Sequence, residues 1–353
     1  MKKVFAILQE PASYTTDRNR LVYDELGIDY CYIHDSSLAK SSELKNVKSI
    51  GNLPFKDLIS RIKRILREND LIIMNGYNGR IFLILYLLNL IYRKPIGIDS
   101  DTQLNIPSKL LKRCVKRLYL SSIFHNKLIY GLPGGTKTHK DLFRHYGMAE
   151  ERICLMPMVV NNSRFCYPYL RENRVFRFLF VGRIIPVKGI DVLLEAFSNA
   201  FKNLRNVELR IVGDGELLDE FKHNYTADNI KFTGAKFEDE LRQEYIDASA
   251  FILPSNYEPW GLVVNEAMAA GLPVIVSDQV GAAWDLVDGH ETGFIFKYDD
   301  PEDLKNKMLT LYNNPELYKR FSSNAYHRLN DEWNYDYYRQ CLIDFITKAS
   351  CTK

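Results

Sequence analysis

The chain has 353 residues, of which 46% are apolar and 26% charged, and its formal net charge is +3. This length exceeds that of a typical single domain, so we expect two domains, and the composition is that of an ordinary soluble globular protein. The six cysteines show no close pairing and the seven histidines form no ligand motif. We therefore expect reduced thiols, no disulfide framework and no structural metal.

The charge is unevenly distributed along the chain. Residues 1–165 carry a balance of +11 and the remainder carries −8. A basic half indicates an anionic partner such as phosphate, nucleic acid or lipid headgroups. The N-terminus resembles a first strand more than a signal peptide, and the longest apolar stretch, Ile81–Tyr92, is too short to cross a bilayer. These features predict a cytoplasmic location.

The first half contains short apolar runs that predict strands of a parallel sheet. The candidate strands are Lys3–Leu8, Asp29–Ile33, Leu71–Met74, Pro95–Ile98, Lys127–Tyr130 and Ile153–Leu155. Two segments between them, Leu58–Arg67 and Ser108–Leu118, combine helical apolar periodicity with clustered Lys and Arg. Such a helix can lie on an anionic membrane, or it can pack into the core with its charges in water, and the pattern leaves both open. The stretch Gly134–Thr138 lacks the glycine before lysine of a P-loop, and predicts the start of a helix.

The second half alternates strands and helices more clearly. The predicted strands are Phe176–Val181, Val207–Val212, Ile230–Thr233, Ala250–Leu253, Pro273–Ser277 and Phe294–Phe296. The predicted helices are Asp191–Phe201, Glu216–His223, Asp239–Asp247 and Leu262–Ala270. Strand–helix alternation is typical of parallel sheets with right-handed crossovers. We therefore predict an α/β protein with two Rossmann-like domains, residues 1–165 and 166–334, joined near Ser163–Arg174.

Two basic residues follow the first strand of the second half. Arg183 and Lys188 lie in a loop that leads from this strand to a helix, where open α/β sheets bind ligands. Arg grips phosphate oxygens in a plane and Lys acts as a compact point charge. The pair is therefore a candidate for a diphosphate, although two solvated surface residues would give the same local pattern.

The segment Glu258–Glu266 is the most informative part of the chain. It reads Glu-Pro-Trp-Gly-Leu-Val-Val-Asn-Glu and follows an apolar strand. The proline after Glu258 suits the first turn of a helix, and one continuous helix would separate the two carboxylates by roughly 12 Å. This separation suits the two ends of a long polar ligand, whereas the spacing alone is equally compatible with a helix bearing two solvated glutamates.

The segment resembles the signature of the family 4 retaining glycosyltransferases. The resemblance covers Phe178–Phe296 and includes Val181–Gly189, Ile211–Gly215, Phe232–Gly234 and Glu266–Asp278, whereas residues 1–165 match only loosely. It implies the GT-B arrangement, with two domains facing each other across a cleft. It also implies that a last helix, within about residues 335–353, packs back on the first domain.

The resemblance implies a role for each matched residue of the second domain. Glu258 would hydrogen-bond the donor sugar, and Glu266 would accept hydrogen bonds from the ribose hydroxyls. Arg183 and Lys188 would bind the diphosphate. The remaining donor-binding positions would be Gly182, Gly234, Trp260, Gly261 and Leu262, with the helix N-terminus near Trp260–Leu262 presenting N–H groups to an anion.

In the first domain the match departs from the family. The glycine pair expected after the first strand is replaced by Gln9-Glu10-Pro11, and the histidine expected near the sugar is lacking. Glu10, Asp99 and Asp101 are the candidates for the sugar or acceptor side, although a turn or a helix cap explains the two aspartates equally well.

The resemblance implies a retaining transferase without metal or cofactor. Its donor would be a UDP- or GDP-linked sugar and its acceptor a glycan or lipid-linked precursor of a surface polysaccharide or glycoconjugate. No nucleic-acid partner is expected, and the basic first domain suggests peripheral attachment to an anionic membrane. Two alternatives remain: a sugar-nucleotide 2-epimerase of the same architecture, which relies on acid/base carboxylates and histidines, and a non-catalytic nucleotide- or glycan-binding protein.

Overall fold

The computed structural model describes residues 2–35, 49–167, 175–202 and 204–351. Within them the chain divides into two compact units, Met1–Val159 with Tyr335–Lys353, and Val160–Asn334. The predicted boundary at residues 165–166 lies a few residues beyond this division. Part of the predicted linker, residues 168–174, falls outside the described residues.

The first unit is a five-stranded parallel sheet with strand order β2-β1-β3-β4-β5. Its strands are β1 (Val4–Leu8), β2 (Asp29–Tyr32), β3 (Leu71–Asn75), β4 (Ile96–Ser100) and β5 (Ile129–Pro133). Its helices are α1 (Ser13–Arg18), α2 (Asp24–Leu26), α3 (Phe55–Glu68), α4 (Gly79–Tyr92), α5 (Leu110–Phe124) and α6 (Thr138–His145). The predicted sixth strand at Ile153–Leu155 is reduced to one bridge, between Ile153 and Gly131.

The second unit is a six-stranded parallel sheet with strand order β11-β10-β9-β6-β7-β8. Its strands are β6 (Phe176–Val181), β7 (Val207–Val212), β8 (Ile230–Gly234), β9 (Ala250–Leu253), β10 (Val274–Ser277) and β11 (Gly293–Phe296). Its helices are α7 (Ile190–Phe201), α8 (Leu218–Asn224), α9 (Glu238–Asp247), α10 (Leu262–Ala269), α11 (Pro301–Tyr312) and α12 (Pro315–His327). Both α11 and α12 begin with proline after a capping side chain, Asp300 and Asn314, that accepts a backbone hydrogen bond.

The last helix, α13 (Tyr335–Ser350), belongs to the first unit. Its buried side chains Tyr338 and Phe345 face the sheet, and the ring of Phe345 lies 5.7 Å from that of Tyr130 on β5. The hydroxyl groups of Tyr338 and Tyr23 are 3.1 Å apart. None of the helices in the described part of the chain is both long and apolar enough to cross a bilayer.

Candidate functional site

The candidate site is formed by the loops after β6 and β9, the neighbouring strands at which the strand order of the second sheet reverses. Open α/β sheets bind ligands at such reversals, outside the carboxyl ends of the strands. The two loops are joined by the N–H of Asn256, which donates to the carbonyl of Val187 at 3.0 Å. A Cβ at Gly189 would lie 2.3 Å from the carbonyl oxygen of Pro254. Glycine at this position therefore lets the β6 loop approach the β9 loop.

The loops after β7 and β8 extend the same edge. The N–H of Ile184 donates to the carbonyl of Asp214 at 2.8 Å, and the N–H of Gly213 donates to that of Gly234 at 2.9 Å. The N–H of Gly182 donates to Val212 at 3.0 Å. The predicted donor-binding glycines Gly182 and Gly234 therefore lie on one connected rim with the β6 loop.

Arg183 is the exposed cation of this rim. Its side chain makes no hydrogen bond or ion pair with any residue that the structure describes. Because a solvated guanidinium keeps all five donors available, Arg183 can bind an anion without first breaking an internal contact.

Lys188 and Glu258 form an ion pair between the β6 and β9 loops. Nζ of Lys188 donates to Oε2 of Glu258, and the two side chains are 15% and 16% exposed. The backbone of Glu258 is fixed by hydrogen bonds with Gln279 at 3.2 Å and Gly281 at 3.0 Å. Each charge is thus already neutralised by the other, which the sequence did not predict. An anionic ligand must therefore compete with Glu258 for Lys188.

The prediction that Glu258 and Glu266 share one helix is wrong. Helix α10 begins at Leu262, and Glu258 lies in an extended segment that bridges to Val280. Gly261 interrupts the segment with a φ of 97°, a conformation that favours glycine. The N-terminus of α10 therefore lies at this rim. As in any α-helix, its first N–H groups have no acceptor within the helix and are directed outward from its N-terminal end. The axial separation of roughly 12 Å does not apply.

Glu266 lies one turn inside α10 and is held by α9. The hydroxyl of Tyr245 donates to Oε2 of Glu266 at 2.7 Å. Burial raises the pKa of Glu266 to about 7, and the hydrogen bond from Tyr245 opposes this shift. The carboxyl therefore changes its protonation state near neutral pH. Tyr245 was not among the predicted site residues.

The side chain of Trp260 belongs to the core and not to the site. It is 1% exposed, its Nε1 donates to Oδ1 of Asn265 at 2.8 Å, and its ring stacks on Trp333 with centroids 5.7 Å apart. The prediction of Trp260 as a donor-binding position concerned its backbone beside the start of α10, and it stays a prediction.

The three acceptor-side candidates of the first unit have different environments. Asp99 is buried and lies 3.5 Å from Arg18, and Nδ2 of Asn75 donates to it at 3.2 Å. Burial raises the pKa of Asp99, and the charge of Arg18 opposes that shift. The carboxyl of Asp99 thus belongs to an internal cluster, and its place on the sugar or acceptor side stays a prediction. Glu10 is half-buried after β1, and Asp101 is exposed after β4.

The match to a known family covers the second unit. Residues 169–328 match the family model described as glycosyl transferases group 1. The D-inositol 3-phosphate glycosyltransferase of Streptomyces bingchenggensis is 32% identical over 209 residues, 53% of this chain and 46% of that protein. The capsular polysaccharide biosynthesis glycosyltransferase CapM of Staphylococcus aureus is 29% identical over 158 residues, 44% of this chain and 41% of that protein. The chain spans about half or less of the length of these curated relatives.

Solved structures resemble the whole chain in fold. A glycosyltransferase from Rickettsia africae has a TM-score of 0.78 at 17% identity, with all of both chains covered. HepE of Anabaena, solved in complex with UDP and glucose, has a TM-score of 0.74 at 17% identity and covers 98% of this chain and 100% of its own. The fold, two Rossmann-like parallel sheets, is thus that of GT-B glycosyltransferase structures. The candidate site lies within residues 169–328, the part of the chain that matches the glycosyl transferases group 1 model.

Proposed function

We propose that the protein is a retaining glycosyltransferase that moves a sugar from a nucleotide-diphosphate donor to a glycan or lipid-linked acceptor. The observation that carries this proposal is the ion pair of Lys188 with Glu258, which joins the loop after β6 to the loop after β9; Arg183 lies in the first of these loops, and Glu266 lies on the helix that follows the second. A cytoplasmic reaction at the inner face of the cell membrane, in surface polysaccharide or glycoconjugate synthesis, belongs to the same proposal.

The cationic part of the rim suits a diphosphate. Negative charge grows on the leaving diphosphate as the donor bond breaks, so fixed cations stabilise the transition state more than the bound donor. Arg183 is free to approach in the described structure, and Lys188 can exchange Glu258 for a phosphate oxygen. The N-terminus of α10 adds aligned N–H dipoles. Three sources of positive potential thus replace the metal ion that many phosphoryl ligands require, and we propose a metal-independent reaction.

The two glutamates suit the uncharged parts of the donor. A carboxylate accepts hydrogen bonds from two sugar hydroxyls, whether on the ribose or on the transferred ring. Glu266 lies within α10, next to Tyr245, and we assign it to the ribose. Glu258 lies beside Lys188 and therefore beside the diphosphate, so we assign it to the transferred sugar. Release of Lys188 to the diphosphate would free Glu258 for the sugar hydroxyls at the same moment.

The proposed reaction conserves the configuration of the anomeric carbon. The acceptor hydroxyl attacks this carbon from the face that the diphosphate leaves, the bond to the diphosphate oxygen breaks, and that phosphate accepts the hydroxyl proton. No enzyme nucleophile takes part. The role of the protein is to hold the acceptor hydroxyl on the leaving-group face of the donor sugar and to stabilise the leaving group.

The comparisons support this choice of substrate. Structures similar in fold were solved with UDP, with UDP and glucose, and with UDP-glucose. Among the curated relatives, CapM is named for capsular polysaccharide biosynthesis. These names favour a UDP-linked donor and a polysaccharide precursor, and GDP-linked donors remain in the proposal.

The alternatives are weakened by the residues at the rim. A 2-epimerase relies on acid/base carboxylates and histidines, but residues 182–189 and 254–266 contain no histidine. A non-catalytic binding protein has no need to retain both cations together with both glutamates. Incubation with a panel of UDP- and GDP-sugars tests all three functions. We expect one donor to stabilise the protein against thermal unfolding. We also expect slow hydrolysis of that donor, and proton NMR should show that the released sugar keeps its anomeric configuration.

Each alternative has its own result in that panel. Formation of the 2-epimer of the donor sugar would identify an epimerase. Binding without turnover, either alone or with candidate acceptors, would identify a binding protein. If no nucleotide sugar stabilises the protein or is consumed, the proposal is wrong.

A further inference from the structure

Helix α5 presents its apolar side to solvent. Its first three turns carry large aliphatic side chains that are mostly exposed: Leu110 at 65%, Leu111 at 77%, Val115 at 58% and Leu118 at 74%. Only the last turns of the helix enter the core, through Leu120, Ile123 and Phe124. Monomeric proteins rarely expose contiguous aliphatic patches, so this stripe indicates an interaction surface.

The contrast with α3 shows that this exposure is specific. Both helices were predicted from the same pattern of apolar periodicity and clustered basic residues. In α3 the apolar residues Leu58, Ile62, Ile65 and Leu66 are buried, whereas Phe55 at its first position is 59% exposed. Helix α3 therefore uses its apolar side for folding and leaves its charges in water, whereas α5 leaves both its apolar residues and its charges outside the core.

Helix α4, a neighbour of α5, also exposes aliphatic side chains. The hydroxyl of Tyr86 on α4 donates to the carbonyl of Ser122 on α5 at 3.2 Å, so the two helices are neighbours. The outer side of α4 exposes Leu83 at 47%, Leu87 at 53%, Leu90 at 56% and Ile91 at 78%. We call these eight exposed aliphatic residues of α4 and α5 the α4–α5 surface.

The charges around this surface have one sign. Helix α5 carries Lys112, Arg113, Lys116 and Arg117, and neither α4 nor α5 contains an acidic residue. At 3.6 residues per turn, Lys112 and Arg117 lie on opposite edges of the α5 stripe. Long basic side chains on the edges of an apolar stripe can reach past it to an anionic layer while their stems cover apolar surface.

We propose that the α4–α5 surface docks on an anionic lipid bilayer, with its aliphatic residues in the interfacial region and the flanking basic residues on lipid phosphates. This chemistry is that of an interfacial amphipathic helix. A second copy of the chain is a poorer occupant, because a two-fold contact would bring the same basic residues together with no acidic residue on either helix to pair with them. This proposal deepens the membrane location given in the proposed function, but it depends on the exposed residues of α4 and α5 and not on the sugar-transfer reaction.

Co-sedimentation with vesicles tests this surface. We use vesicles of phosphatidylcholine alone, and vesicles in which about one third of the lipid is phosphatidylglycerol, a fraction that gives a strongly negative surface. Wild-type protein is expected to bind the anionic vesicles and to be released by raised salt. The variant Leu111→Ser/Leu118→Ser should lose at least about tenfold in partitioning, since two aliphatic chains no longer leave water. The variant Lys112→Glu/Arg117→Glu should lose binding by about the same factor or more.

Matched variants control for general changes in polarity and charge. Leu204→Ser removes a 40% exposed leucine from the second unit, and Lys63→Glu/Arg67→Glu reverses two exposed charges on α3. Both should bind vesicles like the wild type. Circular dichroism and nucleotide-dependent thermal shift confirm that each variant folds, and they report separately on the donor site.

Three results would overturn the proposal. The first is a wild-type protein that ignores anionic vesicles or binds neutral ones equally well. The second is unchanged binding by Leu111→Ser/Leu118→Ser. The third is a dimer, measured by sedimentation velocity, that this variant dissociates while vesicles have no effect, which would assign the surface to a second copy of the chain.

Discussion

The protonation of Glu266 provides a quantitative test of the donor site. Burial raises its pKa to about 7, and the ionised form is the better acceptor for ribose hydroxyls. If only the ionised form binds, the apparent affinity scales with the ionised fraction, which rises from roughly one tenth at about pH 6 to nine tenths at about pH 8. Affinity for a nucleoside diphosphate should therefore rise about tenfold over this range.

Calorimetric titration of wild type, Glu266→Gln and Tyr245→Phe over this pH range measures the effect. The terminal phosphate of the ligand also titrates in this pH range. Glu266→Gln therefore serves as the control, because its pH dependence of affinity comes from the ligand alone. Tyr245→Phe removes the hydrogen bond that lowers the pKa of Glu266, so its affinity should rise at higher pH than that of the wild type. Identical pH profiles for wild type and Glu266→Gln would refute the reasoning.

The same shift makes a prediction for stability. The folded-state pKa of Glu266 lies above the ordinary value of 4.5, so the fold binds this proton more tightly than the unfolded chain. Its stabilising contribution is therefore complete at low pH and is lost as the pH rises through about 7, by at most about 3 kcal/mol. Urea denaturation of Glu266→Gln should lack this decline, which supplies a measurement without ligand.

The remaining predictions concern the charged rim. Arg183→Ala should reduce turnover by roughly 10²–10³, because Arg183 is proposed to act on the leaving group. Urea denaturation should be unchanged, because this exposed residue has no partner among the described residues. Near-wild-type turnover would remove its assignment to the diphosphate. Glu258→Gln releases Lys188 from its ion pair, so calorimetry should show unchanged or tighter binding of a nucleoside diphosphate, while the rate of sugar transfer falls. Weaker binding would contradict the assignment of Glu258 to the sugar. Turnover assayed in excess EDTA should persist, since fixed cations and a helix N-terminus meet the phosphate charge, and a loss that Mg²⁺ restores would exclude this mechanism.

The sheets of both units could be predicted from the sequence because their central strands, such as β1 and β9, are short apolar runs buried on both faces. All six strands of the second sheet lie where the pattern placed them, to within a residue at each end. The pattern failed at Ile153–Leu155, where one bridge replaces a strand, since an apolar tripeptide says nothing about an available neighbour. Whether a segment can form a strand depends on its own residues, whereas whether it pairs depends on a neighbouring strand elsewhere in the chain.

The candidate site was only partly accessible from the sequence. Arg183, Lys188 and the two glutamates could be named, because loops after strands bind ligands and the segments resemble a family signature. The break at Gly261 was missed because glycine is also acceptable in a first helical turn, and only its φ of 97° distinguishes the two cases. The pairing of Lys188 with Glu258 and the contact of Tyr245 with Glu266 join residues that are distant in the chain, so no spacing rule could reveal them.

The ion pair of Lys188 with Glu258 links binding to catalysis in the proposed mechanism. Two charges that are each about 15% exposed lose part of their hydration, and their mutual attraction offsets that loss while the site holds no donor. A donor that brings a diphosphate and a sugar hydroxyl together replaces one ion pair by two contacts, one for each partner. A free sugar satisfies only the carboxylate and leaves Lys188 unpaired, and a free phosphate does the converse. The rim therefore favours ligands that carry both groups, as a nucleotide sugar does.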